Sequence, residues 1–321
     1  MPVSEFDLIR QFFSRATAAR ADVLLGIGDD CALLQPPSGR VLAVSMDTLV
    51  EGRHFLPGSD PVALGHKALA VNLSDLAAMG AEPAWATLAL TLPGADTVWL
   101  AGFMDGFAAL AAEYAVQLVG GDTTRGPLCI TVQVHGFVDP DKALRRSGGR
   151  AGDRLFLSGQ IGDASLALAM LQRGAVFPPE FDSLRRRLDR PEPRIALGRL
   201  LRGRAHAAID VSDGLVADLG HVCAASGLGA VIELGRLPVS AAVGEQCVRG
   251  NWQYALAGGD DYELVFSVEP AQVDALLGVC ADASQPIQEI GRLVDDSGIA
   301  LVYPDGRVSK ETPFGFDHFR T

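Results

Sequence analysis

Apolar segments along this chain read as short strands that run repeatedly into turns rich in glycine or aspartate. The stretches are "LLGIGDDCALL" at 24–34, "SMDT" at 45–48, "VGGDTT" at 119–124, "DVSDG" at 210–214 and "GGDDYEL" at 258–264. A chain that ends strand after strand this way must place many carboxylates at strand ends, where α/β proteins carry ligands. Buried charge is costly without a partner. The fold therefore has to present these acids at a surface and supply something to neutralise them.

Helix-period segments separate the strands. "SDPVALGHKALAVNLSDLAAMG" (59–80) has Ser59 or Asp60 as cap, Pro61 in its first turn and Gly80 as its stop. "DTVWLAGFMDGFAALAAEY" (96–114) reads as a second helix despite two glycines. "RVLAVSMDT", "AWATLALTL", "AVQLVGG" and "CITVQVHGFV" read as strands. "VDPDKALRRSGGRAGD" (138–153) is polar, basic and glycine-rich, which suits a domain junction. The expected domains are 1–140 and 147–321, both mixed α/β. In the second, "RLFLSG" reads as a strand, "AAIDVSDGL" and "GAVIEL" follow, and "IQEIGRLV" and "IALVYPDG" close the domain. One helix starts at Asp163, another is opened by "RPEPRIALGRLL", and "YALAGGDDYELVFSV" (254–268) reads as strand–turn–strand.

Composition removes several functional classes. The 321 residues are 48% hydrophobic and 21% charged, the balance of an ordinary globular protein. A net charge of −12 opposes nucleic-acid binding, which needs a cationic footprint. No apolar run is long enough to span a bilayer, and "MPVSEFDLIRQFF" does not read as a signal peptide. Five cysteines without a CxxC pair argue against a disulfide framework or structural zinc, and suit small buried hydrophobes in a reducing cytoplasm.

Motif spacing removes more. "GSDPVALGHK" has His66 where a P-loop needs lysine, and "GIGDDC" has Cys31 where a dinucleotide fingerprint needs its third glycine. There is no EF-hand spacing, HExxH or GxSxG, and the six histidines show no ligand spacing. Any single Asp among the turns reads as a turn residue or helix cap. Taken as a set, they suit a hard divalent cation held by oxygen. Asp75 lies three residues from Asn72 on a helix, so both can face one side.

In order, "GIGDDCA", "SMDTLVEGRHF", "ALAVNLSDLAAMGAEPAW", "LVGGDTTRG", "RSGGRAGD", "DVSDGL", "GGDDYEL" and "GFDHF" resemble the thiamine-monophosphate kinase family nearly end to end. "NLSDLAAMGAEP" and "DVSDGL" alone would mark only the wider aminoimidazole ribonucleotide synthetase-like superfamily. The resemblance implies two mixed α/β domains, with the N-terminal sheets of a homodimer pairing into a barrel and the active site in a groove between the domains. It implies ATP-dependent phosphorylation of thiamine monophosphate to thiamine diphosphate, the last step of thiamine diphosphate synthesis, with several Mg²⁺ ions assisting a direct in-line transfer. Carried over by motif, Asp30, Ser45, Met46, Asp47, Asp75, Asp122, Asp210 and Asp213 would serve as metal ligands, Met46 through its backbone. Gly121, Asp122, Arg146 and Ser212 would contact ATP; His54, Asp260 and Phe316 would contact the substrate. Asp260 stands where the family commonly has Glu, and Phe316 where it can have Trp. For Arg146 the alternative is a solvated linker, and for Phe316 core packing. The alternative activity is another ATP-dependent synthetase of the superfamily.

Such chemistry needs no general base, because the attacking phosphate oxygen is already largely ionised, with a second pKa of about 6. The difficulty is bringing two polyanions together, which metal ions relieve.

Overall fold

The computed structural model describes residues 5–14, 17–174, 177, 181–313 and 315. The strands are β1 (Val23–Leu25), β2 (Leu33–Leu34), β3 (Val41–Val50), β4 (Glu82–Leu92), β5 (Gln117–Arg125), β6 (Cys129–Val138), β7 (Arg154–Ser158), β8 (Ala205–Asp210), β9 (Gly229–Glu233), β10 (Leu264–Val268), β11 (Ile287–Val294), β12 (Gly298–Val302) and β13 (Val308–Ser309). The α-helices are α1 (Glu5–Leu8), α2 (Pro61–Ala78), α3 (Thr97–Glu113), α4 (Asp163–Gln172), α5 (Asp182–Asp189), α6 (Ile195–Leu201), α7 (Leu215–Ser226), α8 (Ala241–Val248), α9 (Gln253–Ala257) and α10 (Val273–Asp282). Two compact units form, one of residues 1–76 and 81–141, the other of 77–80 and 142–321.

In the first unit, four strands lie in the order β3-β6-β4-β5, with β3 and β5 at the edges. Only β4 and β5 run parallel. Asp60 caps α2, accepting from the N–H groups of Val62 and Ala63, and Asp96 caps α3 through Val98 and Trp99. The glycines inside these helices have a packing reason. A Cβ on Gly65 would sit 1.9 Å from the Phe103 carbonyl, and one on Gly106 would sit 1.8 Å from the Val62 carbonyl. The two helices cross backbone to backbone there. Leu69, Leu73, Phe103, Phe107 and Ile130 are fully buried in this unit. Ala84, Trp85, Val119 and Phe137 form a separate cluster beneath Val23, Ala32 and Leu34, which secures the β1–β2 ribbon carrying the first Gly/Asp turn.

In the second unit, seven strands lie in the order β13-β12-β9-β11-β7-β10-β8, and only β12–β9 is parallel. Leu155, Leu157, Ile209, Leu219, Ile232, Val265 and Ile290 belong to one core cluster. Residues 254–257 do not form the expected strand. They belong to α9, which buries Ala255 and Leu256, and Asn251 accepts the Gln253 N–H at its start. The apolar pair at helical positions looks the same as a strand when the segment is this short. Cys223, Cys247 and Cys280 are buried, Cys129 is half-buried, and Cys31 is exposed, contrary to the expectation of buried cysteines throughout.

Candidate active site

Each unit assembles its own group of predicted residues. In the first, α2 lies against β3 and delivers two polar side chains to it. Asn72 accepts the Asp47 N–H at 2.9 Å, and the Ser45 hydroxyl makes a short hydrogen bond to the Asp75 carboxylate. Ser45 and Asp47 are two apart on a strand and so share a face. Ser45, Asp47 and Asp75 therefore come together as a patch of hard oxygen donors, all three half-buried. Met46 points the other way and is 60% exposed; its thioether is a poor match for a hard cation, leaving only its carbonyl as an oxygen donor.

Strand register separates Asp122 from this patch. Asp47 stands opposite Val132, which stands opposite Leu88 and then Gly121. Asp122 is in the next row, with Ala89, Thr131 and Thr48. Paired residues share a face, so exposed Asp122 lies on the sheet face opposite Asp47. Asp30 is exposed in its turn, and the Asp29 carboxylate accepts the Asp30 N–H at 2.9 Å, so Asp29 holds the turn. His54 closes a tight turn after β3. Its Nδ1 accepts the Val50 N–H at 2.9 Å, which in the neutral ring places the proton on Nε2 as a donor.

In the second unit, β10 pairs with β8 so that Leu264 stands opposite Asp210. That pairing sets the loop after β8 against the loop before β10. The Asp260 N–H donates to the Ser212 carbonyl at 2.9 Å, and the Tyr262 N–H to the Val211 carbonyl at 2.8 Å. Contact is close enough that a Cβ on Gly259 would fall 2.4 Å from the Ser212 carbonyl. Asp210 is buried, while Ser212, Asp213 and Asp260 are half-buried. These four predicted residues are thus neighbours. Arg146 is exposed, on the segment whose Arg145 carbonyl accepts the Ala208 N–H of β8. Phe316 lies outside the described residues, but Gly315 beside it is packed against the Asp213 carbonyl.

Three acids hold this second group in place; the sequence marks only Asp261 among them, as one of the Gly/Asp-turn carboxylates and without a role. Asp218 is buried, and its Oδ2 accepts the N–H groups of Ser212, Asp213 and Gly214 at 3.0, 3.0 and 3.1 Å. Burial pushes its carboxyl up to about 7. Asp261 accepts the Gly162 N–H with both oxygens; burial raises it well above the carboxylate range. Glu263 is fully buried and receives Arg187, Arg194 and the Ser158 hydroxyl. The signal for Asp218 was its place one turn inside a helix that begins at glycine, where a carboxylate can reach back to the open N–H groups.

The donor chemistry suits Mg²⁺ held with substrate phosphates. Among the described residues no three His, Cys, Asp or Glu side chains form a metal cluster. Mg²⁺ is commonly bound by one or two carboxylates, with phosphates and water completing its shell. Asp47 and Asp75 with the Ser45 hydroxyl match that pattern. Among the described residues no helix is long and apolar enough to cross a membrane.

Residues 28–138 match the family "AIR synthase related protein, N-terminal domain", and residues 150–304 match "AIR synthase related protein, C-terminal domain". The chain is 48% identical over 324 residues to the thiamine-monophosphate kinase of Escherichia coli O157:H7, covering all of both chains. Its structure is similar to that of thiamine-monophosphate kinase from Stenotrophomonas maltophilia K279a, with a TM-score of 0.87, 47% identity, and 96% and 99% of the two chains covered. It is also similar to AaThiL complexed with AMPPCP and TMP, with a TM-score of 0.78, 32% identity, and 88% and 89% covered.

Proposed function

The chain belongs to the thiamine-monophosphate kinase family, and from that premise we infer that it transfers the γ-phosphoryl group of ATP directly, in line, to thiamine monophosphate. The observation that carries the reading is the Ser45–Asp47–Asp75 oxygen patch at the contact of β3 and α2. AaThiL, complexed with AMPPCP and TMP, supports the choice of substrates.

In this reading several Mg²⁺ ions would be held by Asp30, Ser45, the Met46 carbonyl, Asp47 and Asp75 in the first unit, by Asp122 on the other face of its sheet, and by Asp210 and Asp213 in the second unit. Bound there, Mg²⁺ supplies neutralisation of phosphate charge and orientation of the transferring group. The chain's own residues do the rest. His54, its Nδ1 engaged by Val50, offers Nε2–H to the phosphate of thiamine monophosphate. Arg146 donates to ATP phosphate, and Gly121, Asp122 and Ser212 border the nucleotide. Asp260 and Phe316 contact the thiamine moiety, whose cationic ring favours an aromatic neighbour. No side chain has to remove a proton, since the nucleophile is an ionised phosphate oxygen.

We read the protein as a cytoplasmic homodimer. Its cysteines are free, as a reducing compartment requires. β3 is an edge strand, and Val44 and Met46 are 52% and 60% exposed on the sheet face away from α2. An exposed apolar edge strand of this kind invites pairing with a second sheet.

The experiment is turnover with ATP carrying a chiral γ-thiophosphate, thiamine monophosphate and Mg²⁺. One in-line step predicts the β-thio analogue of thiamine diphosphate with inverted phosphorus. Retention would mean an intermediate phosphoenzyme, and release of inorganic phosphate would indicate a synthetase.

A further inference from the structure

The segment Asp260–Asp261–Tyr262–Glu263 alternates between anchored and strained residues. Asp261 and Glu263 are the anchors: one holds the Gly162 N–H, the other two arginines and the Ser158 hydroxyl. Asp260 and Tyr262, between and before them, adopt left-handed backbone, with φ of 70° and 52°. That region is uncommon for Asp and an outlier for a bulky residue such as Tyr. Strain of this kind persists only where the surroundings over-determine it, and it gathers at functional positions. Here both strained N–H groups are tied to the 211–212 backbone. The contortion brings the Tyr262 and Asp260 side chains together. The hydroxyl of Tyr262, a buried residue, donates to Oδ1 of Asp260 at 3.0 Å.

We propose that Tyr262 is a positioning residue for substrate recognition: its hydroxyl holds the Asp260 carboxylate so that it presents an acceptor oxygen to a donor group on the substrate's heteroaromatic base. The proposal rests on the reading of Asp260 as a thiamine contact. A carboxylate is a short side chain with two-fold freedom about its last bond, and Asp is shorter than the Glu that the family commonly carries. With one oxygen fixed by a phenol, the direction of the other is fixed as well. Such an acceptor favours an amino substituent and repels a carbonyl oxygen in its place. Selectivity of this type is strong because the wrong group leaves the site's polar atoms unpaired.

The test compares wild type, Tyr262→Phe and Asp260→Ala, each with ATP and with either thiamine monophosphate or its analogue bearing a ring carbonyl instead of the amino group. Tyr262→Phe keeps the ring and removes only the hydroxyl. The expected result is a KM for thiamine monophosphate raised about tenfold, and a similar loss in preference for the amino substrate. The KM for ATP, kcat and the thermal midpoint should stay near wild type, a split that a general packing defect would not produce. An unchanged KM and preference in Tyr262→Phe, with Asp260→Ala impaired, would overturn the role of Tyr262 and leave Asp260 standing. No effect from either variant would overturn both. An equal rise in the KM for ATP, or a lowered midpoint accounting for the loss, would also overturn the proposal.

Discussion

Asp218 supplies a pH-dependent weakness in the second unit. Its buried Oδ2 collects three backbone N–H groups, which favour the charged carboxylate, yet burial dominates and raises the group from its ordinary 3.8 to about 7. The nearby Asp213 charge adds to the rise. The unfolded chain releases this proton near pH 3.8, while the folded chain keeps it to about pH 7. Between those values the folded state binds more protons, so stability falls as pH rises. At about 1.36 kcal/mol per unit, the loss across the window is on the order of 4 kcal/mol. Asp218→Asn keeps the shape and one acceptor oxygen and never ionises. Urea unfolding in EDTA, without nucleotide, should show the variant close to wild type at pH 4. By pH 8 it should be the more stable by up to about 4 kcal/mol. Asp218→Ala removes the acceptor as well and should lose about 1–3 kcal/mol at pH 4. A gap between wild type and Asp218→Asn that stays constant from pH 4 to 8, or opens in wild type's favour, would refute the reasoning. It would mean that the three N–H donors outweigh burial.

Gly65→Ala should be severely destabilising, beyond the usual range of about 0.5–3 kcal/mol for point mutants, because its new Cβ meets the Phe103 carbonyl; thermal unfolding checks this. Glu263→Ala leaves Arg187 and Arg194 without their shared carboxylate and should cost about 3–5 kcal/mol, read by denaturant titration. Asp30→Asn changes an exposed carboxylate. It should remove phosphoryl transfer while leaving the circular dichroism spectrum and the unfolding midpoint as in wild type.

What sequence made legible was local. Of the two caps the sequence offers for α2, Ser59 and Asp60, it is Asp60 that accepts the first N–H groups, and a cap is readable because it needs only the next three residues. Asn72 and Asp75 share the side of α2 that meets β3, as their spacing of three requires. What stayed hidden depends on partners distant in the chain. The face that Asp122 occupies follows from the pairing of β4 with β5 and its irregularity between Ala86 and Thr87, which no local pattern reveals. Glu263 draws its arginines from 69 and 76 residues away. The short helix α9 stays hidden because five residues with two buried apolar side chains fit either period. In the motif "GGDDYEL" the second acid and the glutamate, to which sequence assigns no role, are the anchors on either side of the strained residues.

The most direct test of the central claim is one assay on the purified wild-type protein: γ-labelled ATP with thiamine monophosphate, in Mg²⁺ and again in EDTA, with the labelled product identified. The prediction is label in thiamine diphosphate in Mg²⁺ and none in EDTA. Label released as inorganic phosphate, or thiamine diphosphate formed equally well in EDTA, would contradict it.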